Sequence, residues 1–308
     1  MTATLDHRFT ARDDLMHDVS HRGPHARESL LWTAPLPDEQ LLVFAYLWRE
    51  AGEKWGRFVF VGGTDMSTPE FVSFSDDVEF SGENLDDCAA GGLRLRQPEP
   101  LRVAELGFDS DELSLDLRFE GIHDPFSWHD NADGCPDWVA DNRYEQCCLV
   151  SGTVTVGERR IEVSRSGGHR DHSWGVRDWR MLQHWKWINA TSEDGSSLHA
   201  MIMDVKGERL VNGYINRDGL LSPIAKAEAH AQLDDHLVHR AVTGEFVDEA
   251  GRRMALNSTY AAGWSMPIQH LLLNEIGMSG TLDGVPAVVH VELGWPADYV
   301  HQLTRPSA

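Results

Sequence analysis

The sequence predicts an all-β protein made of two antiparallel barrels. Three observations carry this reading. Side chains alternate apolar and polar with the two-residue period of strands, Asp-Gly pairs punctuate the second half, and 308 residues are too many for one small barrel. Leu93 and Leu95 alternate with Arg94 and Arg96, and Leu113, Leu115, Leu117 and Phe119 alternate with Ser114, Asp116, Arg118 and Glu120. Both patterns describe a strand with one wet face. Val154 and Val156, then Ile161 and Val163, flank Gly157-Glu158-Arg159-Arg160 and predict a hairpin. Asp194-Gly195, Asp218-Gly219 and Asp283-Gly284 each lie between apolar-alternating runs, and Asp-Gly supplies the positive φ that two-residue hairpin turns need. Residues 225–242 carry both periods: Leu233, Leu237, Val238 and Ala241 recur at helical spacing, while Ala227, Ala229 and Ala231 alternate with polar neighbours. The strand reading is preferred. Residues 76–92 and 123–142 read as loops, the second over a barrel mouth, and Gly62-Gly63 and Gly91-Gly92 read as turns.

Composition bounds the partners. The chain has 49 acidic and 27 basic side chains, for a formal charge of -22. Such a balance argues against nucleic acid and against an anionic membrane surface, both of which need clustered Lys and Arg. Residues 1–20 contain no apolar run of the kind a secretory signal needs, and no window approaches the ~18 apolar residues of a spanning helix. A cytoplasmic protein without membrane insertion is expected. Cys88, Cys135, Cys147 and Cys148 lack the paired spacing of a zinc site and are expected to be reduced, inert thiols.

The densest cluster of unusual residues is Gly168-His169-Arg170-Asp171-His172-Ser173-Trp174-Gly175-Val176-Arg177-Asp178-Trp179, followed by His184-Trp185-Lys186-Trp187-Ile188-Asn189. Four of the eleven Trp fall between Trp174 and Trp187. Trp is costly to expose, and buried Arg and Asp must pair. One reading is an ionic network that pins one barrel to the next, with Trp filling the seam. The other is a catalytic wall in an apolar pocket, where an Asp or His with a shifted pKa acts as acid or base and Trp faces stabilise a cation. The two are compatible. A metal held by His169, His172, His184 and Asp171 lacks ligand spacing, so no metal and no organic cofactor are expected. Ser173 lacks the Gly-x-Ser-x-Gly setting of a nucleophile.

With these residues in view, the chain resembles the hydroxyneurosporene synthase (carotenoid 1,2-hydratase) superfamily, which also holds AttH-like proteins and fungal decalin-forming Diels–Alderases. The resemblance rests on Tyr144-Glu145-Gln146, Gly152-Thr153-Val154, Arg170 to Trp179 and Val291-Glu292-Leu293-Gly294-Trp295-Pro296, with Asp171-His172-Ser173-Trp174-Gly175 as its specific core. By pattern it points to an uncharacterised bacterial branch. The resemblance implies two tandem lipocalin-like barrels, divided as a tail over 1–24, a first barrel over 25–168 and a second over 169–308. It implies a small apolar substrate, isoprenoid-like or polyketide-like, and it permits a homodimer.

Further residue roles are implied by the hydratases' His-x-Trp pair with a downstream Tyr and Asp. His172 and Trp174 match the pair, Asp204 stands as the acid, and Tyr214 on the next strand replaces a Tyr missing beside it. Asp171 and Asp178 are the alternative acids should Asp204 face solvent. Trp174, Trp187, Trp179, Tyr214 and Arg177 would hold substrate. The expected reaction is a cofactor-independent hydration or dehydration of a terpenoid alcohol or alkene. A carrier of an apolar ligand and a cyclase or isomerase are the alternatives.

Overall fold

A computed structural model describes residues 7–51, 54–268 and 270–303. The first sheet contains β1 (Ala26–Leu36), β2 (Leu41–Glu50), β3 (Trp55–Gly62), β4 (Phe71–Val78), β5 (Phe80–Ser81), β6 (Asp87–Ala90), β7 (Leu93–Glu99), β8 (Val103–Asp109), β9 (Leu113–Gly121), β10 (Phe126–Ser127), β11 (Asn142–Val156) and β12 (Arg159–Val176). Its order is β4-β3-β2-β1-β12-β11-β9-β8-β7-β6-β5, with β10 on β11. The end strands β4 and β5 are consecutive in the chain, so the sheet curls into a nearly closed barrel. Trp55 stacks on Phe80 at 4.0 Å across the gap.

The second unit is a closed eight-stranded barrel: β13 (His184–Ser192), β14 (Ser197–Val205), β15 (Glu208–Arg217), β16 (Leu220–Leu233), β17 (His239–Asp248), β18 (Arg253–Ile268), β19 (Leu271–Leu282) and β20 (Val285–Pro296), followed by α1 (Ala297–Leu303). All three Asp-Gly pairs lie in turns between consecutive strands, and Gly157-Glu158 turns β11 into β12. The ambiguous 225–242 stretch is strand, turn and strand. Loop 76–92 contains β5 and β6, and loop 123–142 contains β10.

Each barrel is filled by its own apolar side chains. Leu30, Trp32 and Ala34 of β1 point into the first, and Ile188, Ala190, Val289 and Val291 into the second. A third cluster fills the junction: Leu31, Phe44, Phe58 and Phe60 from the first barrel, Trp185, Trp187, Met201, Met203 and Met266 from the second. Strands β1 to β3 are therefore buried on both faces, which explains their near-continuous apolar runs. Loop 123–142 lies against the outside of the second barrel rather than over a mouth, since the Asn131 side-chain amide donates to Gly213 O at 2.9 Å.

The passage between barrels falls after Val176, not at Gly168, because β12 stays in the first sheet throughout. Gly167 and Gly168 lie within β12. A Cβ on Gly168 would lie 2.4 Å from Val150 Cγ2, and one on Gly167 would lie 3.0 Å from both Thr191 and Val288 of the second barrel. They let a strand pass between two crowded surfaces. Gly62-Gly63 serves the same end, bridging by backbone to Gly263. The expected tail is also structured: residues 7–25 form a strap against the first barrel, with Asp14 fully buried.

Candidate functional site

Strand β12 alternates its side chains between two buried environments. Arg170, His172 and Trp174 face the first barrel and the strap, whereas His169, Asp171 and Ser173 face the junction. The neighbouring β11 does the same, with Tyr144 and Gln146 on one side and Arg143, Glu145 and Cys147 on the other.

On the first-barrel face, Glu28 accepts from His17 Nδ1 at 2.9 Å, His172 Nε2 at 3.0 Å and Arg49 Nη2 at 3.1 Å. Burial opposes ionisation, but the hydrogen bonds from His17 and His172 hold the Glu28 carboxyl down at about 2. Trp174 stacks on His17 with ring centroids 3.6 Å apart. Asp14 is bonded to Tyr144 Oη and lies 3.6 Å from Arg170 Nη1.

At the junction, Arg143 donates to Glu145 Oε1 at 2.6 Å and to Asp171 Oδ2 at 2.7 Å. Burial raises both acids despite this guanidinium, Asp171 to about 6. His169 Nε2 lies 2.7 Å from Glu145 Oε2, Trp187 Nε1 donates to Glu145 Oε1 at 3.4 Å, and His199 Nδ1 lies 2.8 Å from Asn189 Oδ1. Burial holds His169 and His199 well below the usual imidazole range, so both are neutral.

Beyond Trp187 the seam continues to an acid pair. Glu275 and Glu292 are direct neighbours across β19 and β20. Burial pushes Glu275, fully enclosed, up to about 7. Burial and then the Glu275 charge push half-buried Glu292 well above the carboxylate range. Trp185 Nε1 donates to Glu292 Oε1, and His290 Nε2 lies 2.8 Å from Glu275 Oε2. The Trp187 ring meets His290 edge-on at 5.3 Å, and Trp179 stacks on Trp185 at 5.7 Å. A cleft of about 770 Å³ opens between the barrels along Gly167, Thr191 and Val288. These residues also border a void of about 10 Å³ against His169, Asn189 and His290.

The structure sorts the expected residues. Asp171, Trp187, Tyr214, Arg177 and Trp179 belong to the junction. Tyr214 Oη accepts from Cys147 N at 3.0 Å, and Arg177 donates to Ser173 Oγ and lies over Trp179 at 5.1 Å. His172 and Trp174 lie on the opposite face of β12. Asp204 is a third exposed and forks onto Arg209 at 2.9 and 3.2 Å, which lowers its pKa; it does not meet the requirement of a dry, protonated acid. Asp178 fails likewise, since its bonds to Arg180 hold it at about 2.

Sequence reading missed Glu275, His290 and Glu292 as a group, because their alternation with Ile276, Val289, Val291 and Leu293 is that of a wet face. That face is covered by the other barrel. The signal available was His and Glu flanking the Glu292-Leu293-Gly294-Trp295 segment. The grouping of His169, His172 and His184 is not formed, because β12 turns the first two to opposite sides. Two other donor sets are within reach of a single ion: Glu145, His169 and His199, and His17, Glu28 and His172, their ligand atoms within 4.8 Å. Each carboxylate is already bonded to an arginine, with which a cation would compete.

Among solved structures, the chain is similar to an AttH-type protein of Nitrosomonas europaea, at TM-score 0.63 and 12% identity over 96% of this chain and 98% of that one. It is also similar to CghA (0.60, 14%, 89% of each chain) and to kievitone hydratase from Nectria haematococca (0.55, 11%, 95% and 96%). At these identities the likeness is one of fold, the tandem-barrel architecture of AttH-like proteins. No curated protein sequence matches the chain. The family model that matches residues 10–297 places the chain in the family described as Domain of unknown function (DUF7064), to which it belongs.

Proposed function

We propose that the protein is an acid–base hydro-lyase that adds water to, or removes it from, an apolar unsaturated substrate held at the junction of the barrels. The observation that carries this reading is the Glu275–Glu292 pair beside Trp185, Trp187 and His290. Two adjacent carboxyls, Glu275 fully enclosed and Glu292 half-buried against Trp185, resist ionising together, so one keeps its proton near neutral pH. That proton passes to an alkene carbon, or to a hydroxyl that then leaves as water. The resulting cation faces the indoles of Trp185 and Trp187. In hydration, water adds to the cation and surrenders a proton to neutral His290, whose contact with Glu275 returns it to the pair. Dehydration is the reverse. Kievitone hydratase, which shares the fold, bears a name of the same reaction class.

The Met-lined seam around Trp185 suits a pliable apolar substrate, of which terpenoid alcohols and alkenes are the first class to try. Asp171 is the second acid of the same seam. A carrier or a cyclase would need the seam but not the acid pair. The test is to incubate the protein and its Glu275→Gln and Glu292→Gln variants with a terpenoid panel, without metal or nucleotide, and follow gain or loss of water by mass spectrometry. Turnover by the parent and its loss in variants that still bind substrate are expected. Equal turnover in both variants would refute the assignment.

A further inference from the structure

On the other face of β12, the first barrel encloses Arg170 and sets it against Asp14 of the chain's own strap. Arg170 is buried, yet its guanidinium is fixed by the barrel: Nε donates to Gln146 Oε1 at 2.7 Å and Nη1 to Gln97 Oε1 at 3.2 Å. Tyr144 Oη and the Leu101 amide point to the same spot and donate to the two oxygens of Asp14. Arg170, Tyr144 and Leu101 belong to β12, β11 and the β7–β8 turn, outside the strap, while Gln97 of β7 also donates its Nε2 to the Asp14 carbonyl at 2.9 Å. Among the described residues, Asp14 is the one carboxylate paired with Arg170.

Asp14 pairs with Arg170 incompletely. Its Oδ2 stands 3.6 Å from Arg170 Nη1, and Arg170 Nη2, buried, has no hydrogen-bond partner among the described residues. A guanidinium otherwise takes a carboxylate with two parallel bonds. The tether explains the shortfall. Asp14 ends a single 3-10 turn, Ala11–Asp14, in a strap that pairs with no strand, so its reach is set by the backbone. Beside it the strap lays apolar groups on the barrel: Phe9 packs edge-on against Tyr144 at 5.2 Å, and Met16 packs on the first-barrel core.

We propose that Arg170, Tyr144 and the Leu101 amide form a binding site for an aliphatic monocarboxylate, and that Asp14 is its tethered stand-in. A free carboxylate engages both guanidinium nitrogens while its tail takes the places of Phe9 and Met16, and the strap lifts. Binding and strap release are then one event. This site is separate from the junction acids, so the two proposals stand or fall independently.

Two measurements test it. In Asp14→Ala, formate or acetate should raise the melting temperature saturably by several degrees, as a ligand specific to the folded state does. Phosphate, chloride and ethanol should not, and Arg170→Gln added to that variant should abolish the effect. In the unmodified protein, octanoate should speed tryptic cleavage at Arg12 at least about tenfold by releasing the strap, whereas octanol should not. The second arm stands even if Asp14→Ala fails to fold. A folded Asp14→Ala indifferent to carboxylates, or strap cleavage unchanged at saturating octanoate, would make Asp14 a structural plug and overturn the proposal.

Discussion

The two faces of β12 treat carboxyl groups in opposite ways. Toward the first barrel, Glu28 gathers two imidazoles and a guanidinium and is held at about 2. Toward the second, Asp171 rises to about 6, Glu145 rises too, and Glu275 further along the seam reaches about 7. Both regions are buried, so burial alone does not distinguish them. The difference is the supply of donors. Glu28 takes two imidazoles and a guanidinium to itself, whereas at the junction one guanidinium, Arg143, is shared between Glu145 and Asp171, and among the described residues the Glu275–Glu292 pair meets no guanidinium, only the indole of Trp185 and the imidazole of His290. A carboxylate held low is a structural anchor, and one held high keeps a proton it can give away.

The contrast can be broken by mutation. The largest effect belongs to Glu275→Gln and Glu292→Gln, each expected to lower turnover by about 10²–10⁴-fold with substrate binding retained, read by single-turnover mass spectrometry and equilibrium binding. Arg143→Met should cost about 3–5 kcal/mol in urea unfolding, because it leaves Glu145 and Asp171 without their shared cation.

Acid and alkali should then act oppositely on the two faces. The raised pKa of Glu275 means that its unfolded form ionises first. The folded state therefore loses stability from about pH 4.5 to about 7, by about 3 kcal/mol at most, and Glu275→Gln should flatten that slope. Turnover should hold as pH rises through about 7, where Glu275 ionises while Glu292 keeps its proton, and fall at higher pH. Glu28 has the reverse sign. Its contribution, also about 3 kcal/mol at most, is complete above about pH 4.5 and lost as pH falls toward 2, and Glu28→Gln should remove that acid-side loss. Least affected should be Asp204→Asn, which breaks an exposed pair worth under about 1 kcal/mol and should leave turnover unchanged.

Much of the architecture was legible in the sequence, because strand alternation and Asp-Gly turns are local. Leu113 to Phe119 and the turn at Asp283-Gly284 fold as their neighbours dictate. The unusual segment from His169 to Trp179 was legible as a place, but not as a site. Consecutive residues of a strand point apart, so His172 and Asp171, adjacent in sequence, serve different regions. Asp204 was misread for a related reason: at the end of β14 its position in the strand says nothing of the Arg209 that reaches it across the turn. His290 and Glu292 looked solvated because a barrel's outer face is wet when the barrel stands alone. Here the second barrel's outer face is covered by the first, and that docking is long-range information that no local pattern encodes.

The most direct test of the central claim is the protonation of the junction acids, which needs no substrate. Infrared spectra recorded from pH 5 to 9 should show a protonated carboxyl band with one component that titrates near pH 7 and is missing in Glu275→Gln, and a second that persists to higher pH and is missing in Glu292→Gln. A chain whose carboxyls are all ionised at pH 6, or a band that survives unchanged in both Glu275→Gln and Glu292→Gln, would contradict the account.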